Sequence, residues 1–129
     1  MNTGIVQLTP ELLALINPDY ASSLMPFSRE IFLLDITVAG TTYCDRINEV
    51  ESQLTEGTVL RMVRQPQNEH DELAIGIYFN NVRIGWVPQH LNAVISRLMD
   101  AGKAFFCRIT STENIRSWLK IDAKIYMVE

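Results

Sequence analysis

A chain of 129 residues with 47% hydrophobic content is long enough to bury one substantial core and too short for two domains of ordinary size. Its formal net charge of −4 excludes the broad positive surface on which sequence-independent nucleic-acid binders rely, so any contact with phosphates must be local. No apolar run approaches the roughly 20 residues of a membrane span, and no basic segment precedes an apolar one at the N-terminus, so a cytoplasmic protein with no membrane partner is expected.

All eleven basic residues lie from Arg29 onward, and the first 28 residues carry only acidic charge. This compositional step predicts an N-terminal helical extension over 1–28 ahead of a domain over 29–129. Within the extension, TPELLALINP reads as a short helix, with Thr9 as N-cap, Pro10 at the first helical position, Glu11 in the first turn and Pro18 beyond the end. Its stripe of Leu12, Leu15 and Ile16 would pack on the domain itself or dock a second copy or a partner.

From Ile31 the period becomes two, with Phe32, Leu34, Ile36 and Val38 on one side of a half-buried strand and Asp35 and Thr37 on the other, ending at Gly40. A short linker with a helical turn around 48–54 leads through Glu56-Gly57 to a second strand over 58–64. Arg64 then opens a polar loop, Gln65 to Glu72, rich in residues that turn chains. Arg64 could meet a phosphate or pair with Glu69.

Two alternating segments, 74–79 and 82–87, flank Asn80-Asn81 and predict a tight hairpin. In a regular register Ile75 faces Trp86, Ile77 faces Ile84 and Phe79 faces Val82, which would bury Trp86 in the core and set Gly76 opposite Gly85. Paired glycines mark a sharp bend or a close backbone approach, as in a small curled barrel.

Pro88 is expected to open a helix buried along Leu91, Val94, Ile95, Leu98 and Met99 and closed by Gly102. Two more strands follow over 104–110 and 117–127, joined by Ser111-Thr112-Glu113-Asn114. The outward face of the last, with Trp118, Lys120, Asp122, Lys124 and Tyr126, mixes aromatics and cations as a base-stacking surface does, and as many solvated strands do.

Four segments in this order, VAGTTY (38–43), VRQPQNEHDELAIGIY (63–78), IGWVP (84–88) and LMDAG (98–102), resemble the HIRAN domain. That module occurs at the N-terminus of helicase-like Swi/Snf-type DNA translocases and as stand-alone bacterial proteins. The resemblance covers residues 29–129. It implies a mainly β fold, a modified OB-like six-stranded barrel with one main helix, and OB barrels suit single strands.

The implied activity is recognition of a free single-stranded DNA 3′ end, without catalysis or cofactor, in a DNA-repair setting. A DNA translocase or helicase would act in trans. Asp71 falls on the acidic position that accepts from the terminal 3′-hydroxyl, Tyr43 on a stacking position and Asn68 on a polar loop position; Arg64 stands where a phosphate could be met. His70 replaces an aromatic, Thr42 a basic residue, Cys44 a second aromatic, Trp86 a polar residue and Gln89 a lysine. The candidate nucleic-acid-binding set is therefore Tyr43, Arg64, Asn68, His70, Asp71 and Trp86.

Other chemistries find little support. Cys44 and Cys107 stand alone without CxxC spacing and read as free thiols, and neither they nor His70 and His90 form a metal-ligand pattern. There is no Gly-rich phosphate loop, G-x-S-x-G or H-E-x-x-H, so no enzyme is expected. The alternative is a protein-interaction or self-association module, homo-oligomeric through the N-terminal helix, with a degenerate DNA groove.

Overall fold

The computed structural model describes residues 29–129; the helix expected near Leu12 lies outside the described residues. Six strands form the domain: β1 (Glu30–Thr37), β2 (Val59–Arg64), β3 (Ile75–Phe79), β4 (Val82–Trp86), β5 (Ala104–Ile115) and β6 (Trp118–Val128), with helix α1 (Asn92–Asp100) between β4 and β5. They pair antiparallel in the order β1-β6-β5-β2-β3-β4. The two ends of this order meet, because Ala39, just past β1, bridges Trp86 on β4. Ala39 N–H donates to Trp86 O at 2.8 Å and Trp86 N–H to Ala39 O at 2.9 Å. The mainly β barrel with one helix is thus present.

Alternation fills the interior. Leu60, Ile77, Ile84, Ile121 and Ile125 are each 0% exposed, and the β-branched residues among them suit a pleated wall packed on one face. Gly85 makes the closing bridge feasible. A Cβ there would sit 2.5 Å from Ala39 O and run into Val38 Cγ1, so the close backbone approach anticipated for this glycine is real.

Four expectations change. The hairpin pairs Phe79 with Val82 and Tyr78 with Arg83, but a bulge then sets Ile77 opposite Gly85 and Gly76 opposite Trp86. One extra residue reverses which side of the sheet the following side chains occupy. Trp86 accordingly leaves the core side and Gly76 does not face Gly85. A second bulge between Phe32 and Leu34 pairs Phe32 with Tyr126 on the outer face, where Phe32 is 47% exposed.

The remaining two concern α1 and the last hairpin. A 3-10 turn, Gln89–Leu91, precedes α1, so the helical phase does not run from Pro88; Val94 is exposed, and Asn92, Ile95 and Ser96 are buried. Gly102 does close α1, at φ 97°, with Gly102 N–H bonded to Met99 O and Lys103 N–H to Leu98 O in a Schellman arrangement. In the last hairpin, residues 111–114 continue β5, pairing with Asp122, Ile121, Lys120 and Leu119. The turn is Arg116-Ser117, with Arg116 at φ 57°; pairing with a long partner strand overrides the turn preference of the polar residues.

Cys107 is fully buried, and burial pushes its thiol up to about 12. Burial also raises the Cys44 thiol, against a smaller opposing pull from Arg83. Since the thiolate is the reactive form, Cys107 should be alkylated at mildly alkaline pH at least tenfold more slowly in the native than in the urea-unfolded protein, as read by mass spectrometry (~tenfold is a floor). Gly85→Ala should cost about 1–3 kcal/mol through overpacking at the bridge, measured by chemical unfolding. Gly102→Ala, where nothing lies within 4 Å, should cost about 1 kcal/mol through its positive φ alone.

Candidate nucleic-acid interface

The polar loop is built on Arg64. Its guanidinium donates to Ala74 O at 2.7 Å and Glu72 O at 3.0 Å, and pairs with Asp100 on α1 at 2.9 Å. The side chain is 13% exposed. Arg64 therefore clamps the base of the loop to α1, pairs with Asp100 in place of Glu69, and stands apart from the cleft described below. The hydrogen bond from Arg64 holds the Asp100 carboxyl below its ordinary range.

Above the clamp the loop organises itself. Gln65 N–H bonds to Ala74 O, and Asn68 N–H to Gln65 O. The side-chain Oδ1 of Asn68 accepts from the His70 and Asp71 N–H groups at 2.9 and 3.1 Å, so Asn68 acts as the turn-former its side chain suits. Asp71 Oδ1 accepts from Leu73 N–H at 2.9 Å, and Oδ2 from Asn92 Nδ2 at 2.8 Å. Asn92 is only 2% exposed, which makes it a rigid support for the carboxylate.

A second piece of chain faces this loop. Gly40, at φ 72°, leads into the 3-10 turn Thr41–Tyr43. Thr41 Oγ1 is buried and donates to Leu119 O at 2.8 Å, anchoring the turn on β6. The turn holds Tyr43 outward, 78% exposed. Gly40 has no alternative here: a Cβ would lie 2.6 Å from the Trp86 ring.

Between loop and turn lies an open cleft of about 720 Å³ lined by Tyr43, Asn68, His70, Asp71, Arg83 and Trp86, with Gly40, Gln89 and Asn92 among the others. Trp86, turned outward by the bulge, donates from Nε1 to Gln65 Oε1 at 2.9 Å. The same oxygen accepts from Asn68 Nδ2 at 3.2 Å. One glutamine thus ties the indole to the loop that carries Asp71. The Arg83 guanidinium sits over the indole, 4.6 Å from the ring centroid, a cation–π geometry.

Of the expected set, Tyr43, Asn68, His70, Asp71 and Trp86 come together in the cleft and Arg64 does not. Three residues were missed by sequence reasoning: Arg83, Gln65 and Asn92. Arg83 could have been found from its outward place between Val82 and Ile84 beside the hairpin turn; the bonds of Gln65 and Asn92 span 21 residues each and leave no local signal. Thr42 is exposed and Cys44 is buried, and neither lines the cleft. No cluster of three or more metal-ligating side chains occurs among the described residues.

The family model of the HIRAN domain matches residues 31–128. The chain belongs to the HIRAN domain family. HIRAN domains are DNA-binding modules. A crystal structure of a protein from Lactobacillus plantarum superposes with a TM-score of 0.72 at 21% identity, over 79% of this chain and 98% of that one. The HIRAN domain of human HLTF superposes with a TM-score of 0.62 at 16% identity, over 78% of each chain. These likenesses bear on the fold. No curated protein sequence matches the chain significantly.

The clamp yields a prediction. Arg64→Gln should lower stability by about 1–3 kcal/mol by removing the charge-assisted hydrogen bonds that tie the loop to α1, and should leave the salt dependence of ligand binding unchanged. Because the folded Asp100 pKa is depressed, the Arg64–Asp100 pair contributes above the ordinary carboxylate range and is lost as pH falls below about 4. Exchange protection of the loop amides should therefore fall with acid sooner than that of β5.

Proposed function

We propose that this HIRAN domain binds the free 3′-hydroxyl end of single-stranded DNA in the cleft between Tyr43 and the 65–74 loop, as a non-catalytic module. The observation that carries the reading is the Asp71 carboxylate, fixed by Leu73 N–H and Asn92 in a cleft that also holds two aromatic side chains and an arginine. A carboxylate only accepts hydrogen bonds and retains lone pairs after taking one bond on each oxygen. It suits a terminal hydroxyl and repels a terminal phosphate.

The other roles follow from chemistry. Tyr43, held outward, offers its π-face to the last bases, and stacking of this kind tolerates any sequence; Trp86, with the Arg83 guanidinium over its ring, forms the wall beside it. His70 adds a smaller aromatic face. Asn68 keeps the loop in the shape that presents Asp71. Arg83 is the cation positioned to meet a phosphate, which relieves the absence of basic residues at Thr42 and Gln89. A translocase or helicase supplying such ends would act as a separate partner.

The reading is tested by fluorescence anisotropy at low salt with two labelled oligonucleotides that differ only in a free or phosphorylated 3′ terminus. Phosphorylation should weaken binding at least tenfold (about tenfold for a like charge set against the carboxylate), and Asp71→Asn should narrow that gap. Equal affinities for the two termini in the intact protein would overturn the proposal. Arg83→Gln should weaken both and reduce the slope of log affinity against log salt by about one phosphate contact.

A further inference from the structure

On the outer face of the barrel, the pairing registers align one side chain from every strand into a single row. Phe32 on β1 lies opposite Tyr126 on β6, and Tyr126 opposite Phe106 on β5. Phe106 lies opposite Arg61 on β2, Arg61 opposite Tyr78 on β3, and Tyr78 opposite Arg83 on β4. The row ends at Arg83, which also lines the cleft. Its reach is about 24 Å, five inter-strand spacings of ~4.8 Å.

The row is a stack of rings with cations over them. Phe106 and Tyr126 are parallel at 5.2 Å between centroids, and Phe32 meets Tyr126 edge-on at 6.0 Å. Arg61 lies over Tyr78 at 5.2 Å, Arg108 over both Phe106 and Tyr126, and Lys124 over Phe32 at 4.7 Å. Arg108 and Lys124 are each paired with a carboxylate, Glu30 and Asp35. Arg61 and Arg83 form no ion pair among the described residues. The unpaired cations are thus those nearest the cleft.

We propose that this row is the track along which a single DNA strand continues after its end enters the cleft. The inference rests on the proposed end-binding role of the cleft. Two features select a nucleic-acid strand as occupant: over the half of the row next to the cleft, Arg61, Tyr78 and Arg83 alternate cation and ring, which suits phosphates and bases in alternation, and the row is continuous at Arg83 with a cleft suited to the strand's end. A second cleft lies on the other side of Gly40, flanked by Asp35 and Asp122 and lined by no lysine or arginine, so it offers a phosphate no cation of its own.

The test compares oligonucleotides of about four and about twelve nucleotides, lengths that bracket the cleft and the track, on the full chain and on two variants, Arg61→Gln and Tyr126→Leu. Melting curves check that each variant folds. Both variants should weaken the longer oligonucleotide about fivefold or more, as loss of one stacking or phosphate contact implies, and leave the shorter one unchanged. Equal effects on both lengths, or none on either, would overturn the track. So would a change in molar mass by light scattering with affinity unmoved, which would assign the face to a second copy. A 3′-hydroxyl preference with affinity independent of length sinks the track alone; length dependence without that preference sinks the end-binding reading and leaves the face as a strand-binding surface.

Discussion

The whole arrangement depends on a seam two hydrogen bonds wide. The Ala39–Trp86 bridge turns a curled six-stranded sheet into a closed wall, and it places the Tyr43 turn beside the Asp71 loop. Without closure, Tyr43 and Asp71 would belong to opposite ends of an open sheet. The two glycines nearest the seam are spatial requirements: Gly85 admits the Ala39 backbone, and Gly40 admits the indole ring. The site is therefore a consequence of how the barrel shuts.

The same geometry explains why polar groups in the cleft are not left to chance. Asp71, Asn68 and Trp86 converge through Gln65 and Asn92, each with defined hydrogen-bond partners. Such a network limits the conformations open to the loop, so a ligand bound there as proposed would leave less ordering to be done. Arg64 works underneath, joining loop to helix, and the charge it carries is consumed internally. A basic residue at the base of a polar loop can thus hold the structure, while Arg83, which lines the cleft, forms no ion pair among the described residues.

Much of this was legible in the residues. Alternation located the strands, Gly102 located the end of α1, Asn80-Asn81 located the hairpin, and the family resemblance ran through segments that do converge. Part of what was not legible came down to single-residue insertions. The bulges at Leu33 and Ile84 have no composition signal, yet each decides on which side of the wall an aromatic lies. Burial of Trp86 followed from perfect alternation and fails for that reason alone. The turn at Arg116 was hidden because polar residues at 111–114 look like a turn until their partner strand is known. Contacts such as Trp86 with Gln65 and Asp71 with Asn92 link distant positions and could only be found in three dimensions.

The narrowness of the seam has a further meaning in terms of linkage. β5 and β6 share a long ladder, whereas β4 and the Ala39 segment share one bridge, so local opening should begin there at low cost. A ligand touching both Tyr43 and Trp86 would bind only the shut form and would hold the seam closed in proportion to its occupancy. The barrel's weakest joint would then be a latch whose fastening is the ligand itself.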